Sequence, residues 1–580
     1  MSILCTDANL TDILDHLSQA PIMSLDTETT GAMWQDRPFL ASASTTEKTF
    51  VFPDPGVLSK LNFTGKEAVF QNAKFDMRML RHVGVSLENA TIRDIGILDR
   101  ILYNDRPSTK DYTLEAMGNR YGYPKDKALD KYLRENDLYE LRPYRYTGEI
   151  EKVPQFYRVP KDILYPYAGN DAEITLKIYQ DQLKKVDAGD WRVYETECAL
   201  LQYTFLMEWN GIRVDTYYTE QALFEEQARL QRNMDRFKEY TGIDFEDKKS
   251  ILIPLFEKAG EAIQLTDKGN PQLTDDVLES YKSPEAGIVR RIRHHSKRIS
   301  TYFCNYLDMV DDYNGYIRPS IWQHGTKTGR FSYSDPNLQN IPKDEEDDAK
   351  YPVRGCFVPE KGNIFLSCDY SQQEYRLMLD YAGEHKVIKE VMSGKDLHQA
   401  VADSIGITRK HAKTLSFGIL YGSGPQNVAD MLGITYTEAK ILRDKYLLSL
   451  PKVDQFISNV IAKNKRQGYV TNWLGRKLRN ARDFSYAAPN HLIQGGCGDI
   501  AKKAMVELGK ELHKSCISMR LQVHDQILFD GSKEEIREYY PRIKEIMESI
   551  YTGKNGIVLN IDASYSEKSF AERDMSKWTI

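Results

Sequence analysis

The sequence predicts a multidomain protein in which an α/β part is followed by an α+β part. Three observations carry this. The chain has 580 residues, 41% of them hydrophobic, which is too long for a single core. Its first third sets acids at the ends of short apolar strands and on a helix. The remainder holds long helical stretches, a buried strand that ends in Ser367-Cys368-Asp369-Tyr370, and an apolar hairpin around His524-Asp525-Gln526.

Formal net charge is −6, from 78 basic and 84 acidic residues, so a polyanion site would have to be local. Basic clusters occur at Arg290, Arg291, Arg293, Lys297 and Arg298, at Lys463, Lys465 and Arg466, and at Arg476, Lys477, Arg479 and Arg482. Each by itself reads as a solvated face before it reads as a phosphate track. Seven scattered cysteines without a CxxC pair fit a reducing compartment and argue against zinc. Residues 1–20 are polar and mixed, without a signal peptide, and no apolar run approaches membrane-spanning length. A soluble, cytoplasmic protein with no membrane partner is expected.

Pro21-Ile22-Met23-Ser24-Leu25 reads as a strand delivering Asp26 and Glu28. Acids two residues apart on a strand share a face, so both can bind one metal or a pair. Val69-Phe70 leads to Asp76, again beyond a strand. Tyr167-Ala168-Gly169-Asn170-Asp171 opens a helix that continues through Ile174, Leu176 and Ile178. Tyr167 and Asp171 lie one turn apart on one face. Singly, each acid reads as a surface residue or a cap. Together, Asp26, Glu28, Asp76 and Asp171 suggest a two-metal phosphodiester-cleaving centre, with Tyr167 placed to orient the attacking water.

The segments DTETTG, NAKFD and YAGND resemble, in order and spacing, the DEDDy 3′→5′ exonucleases that precede the polymerase in family A DNA polymerases. The resemblance implies an RNase H-like exonuclease domain over 1–187. By it, the four acids hold the metals, Tyr167 is catalytic and proofreading is intact. Pro124 to Val159, rich in Tyr, Lys and Glu, matches no named pattern and reads as a variable insertion.

Trp191 to Trp209 reads as a helix with Leu200, Leu201, Phe205 and Leu206 on an apolar stripe, ended by Asn210-Gly211. Residues 216–310 read as mostly helical and close on the basic 289–298 segment. Such an arm can straddle a duplex, or it can be a solvated helix pair. Thr328-Gly329-Arg330 through Asn337-Leu338-Gln339-Asn340-Ile341-Pro342 is rich in turn residues and reads as a loop. The acidic run from Asp344 to Asp348 reads as solvated, because adjacent acids on a loop repel.

Asp369 closes the apolar run Ile364-Phe365-Leu366, where strand gives way to helix. By itself it reads equally as a helix cap or as a rigid metal ligand. Asp525, near a hairpin bend, offers it a partner. Two carboxylates from distant elements can place two Mg²⁺ ions about 4 Å apart. Between them, Arg409, Lys413, Phe417 and Tyr421 recur every fourth residue, before Gly422, Gly424 and Pro425 end the helix. Each step turns about 400°, so charge and rings share a face suited to a triphosphate and a base. His398, after Asp396, adds a phosphate contact.

These stretches resemble, in order, the TGR…PNLQNIP segment and motifs A, B and C of family A DNA polymerases. With Asn490…Gln494-Gly495 the likeness spans roughly 190–580. It implies a right-hand polymerase domain over 188–580, with thumb 188–314, palm 315–395 and 490–580, and fingers 396–489. By the resemblance, Asp369, Tyr370 and Asp525 hold the polymerase metals, and Asp369, Asp525 and Lys413 are catalytic. Tyr370, Gln372, Glu374, His398, Arg409, Lys413, Phe417 and Tyr421 contact the nucleotide. Arg330, Gln339, Asn490, Gln494 and His524 contact DNA. Two Mg²⁺ per centre are implied, with Mn²⁺ as a substitute. The implied partners are primer–template DNA and dNTPs, for a monomer; a replisome helicase or single-stranded-DNA-binding protein is a further partner the resemblance admits.

Glu374, five residues past Asp369, would face the incoming sugar and leave no room for a 2′-hydroxyl. Phe417 lacks the hydroxyl of a tyrosine, which implies discrimination against dideoxynucleotides. Three departures stand out: Gln526 where motif C usually ends in Glu, Ser416 where the family often has Asn, and Tyr486 where it often has Arg. The exonuclease segments start almost at residue 1, so no 5′-nuclease domain is expected. That arrangement resembles bacteriophage replicative polymerases, which would place the protein in a host cytoplasm; a bacterial origin stays open. The sequence admits three other readings. An exonuclease that only binds DNA with its second part would not need both Asp369 and Asp525. Glu374 disfavours ribonucleotide synthesis but leaves an RNA template open. An architectural clamp has no use for two sets of acids.

Overall fold

The structure, a computed structural model, describes residues 2–106, 108–266, 269–310, 314–343 and 350–579. The α/β part is built on a six-stranded mixed sheet in the order Ile3–Leu4, Thr49–Phe52, Pro38–Ser44, Ile22–Thr29, Glu67–Phe70 and Thr91–Asp94. Ile22–Thr29 pairs antiparallel with Pro38–Ser44 and parallel with Glu67–Phe70. It is central and nearly all buried, Glu28 included. Helix Lys161–Leu183 lies across the sheet. Ser24 Oγ donates to the Ala172 carbonyl at 2.6 Å and Ser42 Oγ to the Ala168 carbonyl at 2.8 Å. Those two serines pin the helix over the strand that carries Asp26 and Glu28. The helix begins at Lys161 rather than at Tyr167, and it runs through Pro166. Proline lacks an N–H, so one backbone bond is missing there, close to the helix start where few are lost.

The 124–159 stretch forms helix Ala128–Glu135 and the hairpin Tyr139–Pro143/Ile150–Pro154. Leu129 and Leu133 are fully buried with Leu164 and Ala168 of the long helix, in a small core of their own.

Helix Ala188–Asn210 joins the two parts. Asp187 caps it, accepting from the Gly189 and Asp190 amides. Val193, Tyr194, Leu201 and Phe205 enter the core of the α/β part, while Leu200 and Met207 enter the core of the following part. It is apolar on two faces because it is buried on two sides.

Residues 216–310 are largely helical, as their patterning predicts. Thr216–Thr241 packs against Pro284–Lys297 around Phe237, Leu252, Phe256 and Ile292. The basic residues of 289–298 are mostly occupied. Arg290 pairs with Asp275, Arg293 with Asp247 and Arg298 with Glu226.

The second sheet is antiparallel, in the order Ser518–Val523, Gln526–Gly531, Ile364–Tyr370, Ile561–Ser566 and Ser576–Lys577. Helix Ala488–Leu512 packs behind helix Gln373–Ala382 and against Ala188–Asn210. The turn-rich 328–342 segment is not all loop: Ser332–Ser334 pairs with Ser320–Trp322. The acidic run 344–348 lies outside the described residues. Among the described residues no helix is long and apolar enough to cross a membrane.

Candidate active sites

Side chains of Asp26, Glu28 and Asp171 bring carboxylate oxygens within 4.8 Å of one another. The strand supplies the first two on one face, and the overlying helix supplies the third. Asp76 enters from helix Ala73–His82 and accepts from Thr27 Oγ1 at 2.6 Å. Burial, with mutual repulsion, pushes these carboxyls up. Glu28 is raised to about 8, mainly by burial and then by Asp171. Asp76 is raised to about 7 by burial, against the Thr27 hydrogen bonds. Asp26 is raised well above the usual range by burial, then Asp76 and Glu28. Carboxylates packed this closely favour a hard divalent cation, which would supply the missing positive charge. Asp171 Oδ1 is buried without a hydrogen-bond partner, as an uncommitted ligand atom would be. Tyr167 stands one turn before Asp171, and its oxygen accepts from Lys125 Nζ at 3.0 Å.

The second centre forms where Ile364–Tyr370 and Gln526–Gly531 pair. Asp369 is the direct partner of Gln526, and the Tyr370 amide donates to the Asp525 carbonyl at 3.2 Å. Two acids far apart in sequence thus flank one another at the sheet end. Burial, then the charge and hydrogen bond of Asp525, raise Asp369 to about 8. Asp369 Oδ1 is buried and unpartnered. These oxygens too fit a hard cation. Tyr370 is buried, and its hydroxyl donates to the Met547 carbonyl at 2.8 Å, so only its main chain is left for a ligand.

A cleft of about 310 Å³ opens beside Asp525, lined by Arg330, Gln339, Gln372, Glu374, Phe417, Tyr421 and His524. Gln372 and His524 both have φ above +50°, in turns that bring motif residues to the rim. The Glu374 carboxylate is held twice, by Arg330 Nη2 and by the Tyr421 hydroxyl at 2.9 Å. Gln339 donates to Gln522 Oε1 at 3.1 Å. Asn490 and Gln494 are half-buried on helix Ala488–Leu512.

Helix Arg409–Leu420 does present Arg409 and Lys413, with Phe417 half-buried and Tyr421 exposed just past its end. Phe417 and Tyr421 stack, centroids 6.1 Å apart at 23°. Arg409 is paired with Asp396 at 2.8 Å. His398, read as a phosphate contact, is 2% exposed and sits between the Tyr375 and Phe417 rings. Burial lowers it to about 4, so in this structure it is a neutral packing residue rather than a cleft cation.

Sequence reasoning missed three residues. Lys125 reaches the first centre from the unassigned stretch. Asp562 is the second direct partner of Asp369, on the opposite strand. Gln522 lies within the apolar strand Ser518–Val523, where it reads as one more buried hairpin position. Strand pairing and loop docking place them, and no local motif signals either.

A model described as DNA polymerase family A matches residues 217–572, and one described as 3′-5′ exonuclease matches 1–187. DNA polymerase I of Borreliella burgdorferi is 28% identical, over 97% of this chain and 64% of the relative. DNA polymerase I of Geobacillus stearothermophilus is 33% identical, over 66% of this chain and 46% of the relative. DNA polymerase DpoZ of Salmonella phage PMBT28 is 27% identical, over 89% and 91%. The chain therefore spans about half to two thirds of the length of these DNA polymerase I relatives. The fold is shared with the POL domain of Pol1 from M. smegmatis, solved with DNA primer-template and dNTP. There the TM-score is 0.82 at 21% identity, covering 98% of this chain and 99% of that one.

Proposed function

The chain belongs to DNA polymerase family A and carries a 3′-5′ exonuclease domain ahead of its polymerase part, and on that basis we propose that it copies a DNA template by extending a primer and trims the primer's 3′ end. The observation that carries this reading is the meeting of Asp369 and Asp525 beside a cleft walled by Glu374, Phe417 and Tyr421. In this reading residues 1–187 form the exonuclease domain. Residues 188–314 form the thumb, 315–395 with 490–580 the palm, and 396–489 the fingers.

Mg²⁺, with Mn²⁺ as substitute, is the cation the donor sets suit. Asp369, Asp525 and the Tyr370 carbonyl would hold it in the palm; Asp26, Glu28, Asp76 and Asp171 would hold it in the exonuclease. When bound, such ions lower the pKa of the attacking primer hydroxyl or water and neutralise charge on the phosphate. The chain's own residues do the rest. Arg409 and Lys413 supply charge to the incoming triphosphate, Arg409 after leaving Asp396. Phe417 and Tyr421 offer rings to the base, and Glu374 closes the space beneath the sugar. Arg330, Gln339, Asn490, Gln494 and His524 line the path of the primer–template. Tyr167 orients the attacking water in the other centre. The chain acts as a monomer, in the cytoplasm, and a role in phage replication fits its likeness to the phage DpoZ enzyme.

Primer extension and 3′ trimming by wild type, Asp369→Ala and Asp26→Ala test this. Asp369→Ala loses extension and keeps trimming, and Asp26→Ala does the reverse. An Asp369→Ala protein that still extends primers overturns the reading.

A further inference from the structure

Lys125 lies in the loop before helix Ala128–Glu135, inside the stretch that matches no named pattern. The loop is fixed on the C-terminal side of Lys125. The Asp126 side chain accepts from the Ala128 amide at 2.8 Å, and Leu129 and Leu133 seat the helix on Leu164 and Ala168. The helix that carries Tyr167 and Asp171 therefore also anchors Lys125. The ammonium is largely buried, 2.5 Å from Asp171 Oδ2, and donates to the Tyr167 oxygen at 3.0 Å. It also lies 4.8 Å from the centroid of the Tyr167 ring.

An ammonium donates three hydrogen bonds and accepts none. Since the Tyr167 oxygen accepts from Lys125, the phenol's own hydrogen must point elsewhere. Asp171, one of the acids that converge with Asp26 and Glu28, lies within reach of that hydrogen. The same ammonium supplies positive charge to a cluster that otherwise holds only acids. We propose that Lys125 is a positioning residue of the exonuclease centre, turning the Tyr167 hydroxyl toward the cleft and serving as a tethered counter-ion that a divalent cation must displace from Asp171. This rests on the exonuclease reading above and assigns a task to a segment that reading leaves without one. A purely structural ion pair would hold the loop in place without turning the Tyr167 hydroxyl, and its loss would leave the turnover of a folded enzyme unchanged.

The test uses the full chain, with Lys125→Met and Lys125→Gln beside wild type and Asp26→Ala. Trimming of a 5′-labelled single-stranded oligonucleotide gives kcat and KM. Mn²⁺ binding without DNA, read by electron paramagnetic resonance, gives cation affinity, and subtraction of the Asp26→Ala titration isolates the exonuclease centre. A wild-type thermal unfolding profile shows that each variant is folded. Both variants should lose kcat for trimming by about 10-fold or more, the lower range for a group that orients a proton-transfer partner. KM should stay within about twofold, because Lys125 touches Tyr167 and Asp171 and not the oligonucleotide. Mn²⁺ should bind about 10-fold more tightly once the competing ammonium is gone. Unchanged Mn²⁺ affinity, or trimming at wild-type kcat, overturns the proposal. Trimming by Asp26→Ala at the wild-type rate would instead overturn the exonuclease reading, a result distinct from either.

Discussion

Asp369 and Asp562 face each other directly across adjacent antiparallel strands, while Gln526 occupies the matching position on Asp369's other side. Cross-strand partners project to the same face with their Cβ atoms about 5 Å apart. Asp562 adds to the field that raises Asp369, and its carboxylate accepts from Ser371 Oγ. Gln526 donates its amide to Ser367 Oγ instead. Where Gln526 brings no charge to Asp369, Asp562 on the opposite strand does. Asp562→Asn should raise the Mg²⁺ concentration needed for half-maximal extension by roughly 10-fold, since one unit charge at this range is worth a few kcal/mol at most. Gln526→Ala should change it by no more than about fivefold, because losing a neutral hydrogen bond costs about 1 kcal/mol. Mg²⁺ titrations of extension rate decide this. Equal responses from the two variants would remove Asp562 from the centre.

Glu374 is clamped between Arg330 and the Tyr421 hydroxyl. A carboxylate held from two sides is fixed in the cleft. Glu374→Ala should raise the kcat/KM for ribonucleotides relative to deoxynucleotides by roughly 100-fold, the scale on which a pocket senses a small group. Tyr421→Phe removes one of the two anchors and should give a smaller change in the same direction. Single-nucleotide incorporation assays measure both. Unaltered sugar selection in Glu374→Ala would show that the gate lies elsewhere.

Phe417 is half-buried and stacked on Tyr421, with no polar atom of its own to offer the sugar. Phe417→Tyr adds a hydroxyl to a ring that lines the cleft. It should narrow the preference for dNTPs over ddNTPs by about 10-fold or more, the worth of one charge-assisted hydrogen bond. Terminator incorporation by wild type and variant checks this directly, and identical ratios would refute it.

Much of this was legible before the fold was known, and the reason is local. Asp26 and Glu28 share a strand face, Tyr167 and Asp171 share a helix face, and Arg409 through Tyr421 repeat at helical spacing. Such periodicities survive in one dimension. What joins elements did not show. Asp562 depends on strand pairing, Lys125 on how a loop docks, and the fate of Arg476 on burial. Arg476 to Arg482 reads as a basic surface cluster. In the structure Arg476 is 4% exposed, Lys477 binds Asp187 and Asp190, and Arg479 donates to the Ile101 carbonyl. These cations tie the two parts of the chain together, and composition cannot tell that from solvated charge. His398 fails for the same reason, since its ring is covered by Phe417.

The raised carboxyls make a pH-dependent statement about the protein without cation. Glu28 and Asp369 stand at about 8 and Asp76 at about 7, against roughly 4 for carboxyls in an unfolded chain. The folded chain keeps these protons where the unfolded chain has released them. Their contribution to stability is complete below about pH 4 and is lost as pH rises through about 7–8. In EDTA the melting temperature should fall between pH 5.5 and 8.5. Added Mn²⁺ should restore it most at the alkaline end, where the carboxylates are ionised and free to bind. Calorimetry at both pH values, with and without Mn²⁺, reads the effect. A melting temperature in EDTA that climbs across this range would contradict it.

Arg476 lies in a buried network that joins three elements. Its guanidinium meets Glu197 at 2.5 Å and Asp499 at 2.6 Å, Lys502 also bonds Glu197, and Asn472 donates to Asp499 at 2.6 Å. Glu197, Asp499 and Lys502 are fully buried, on helices Ala188–Asn210 and Ala488–Leu512. Two acids and two cations balance, so removing one strands a charge that water cannot reach. The network also touches the cleft. A side chain at Gly329, where φ is +80°, would meet the Arg476 guanidinium at 2.9 Å, and the next residue is Arg330. Arg476→Met should therefore destabilise the fold by about 3–5 kcal/mol, the cost of breaking a buried pair from one side. Its extension rate should fall more than its trimming rate, because the Gly329 turn positions the arginine that holds Glu374. Urea unfolding gives the first quantity and the ratio of the two activities the second. A urea midpoint equal to wild type would show that the network bears no load, and an unchanged ratio would uncouple it from the cleft.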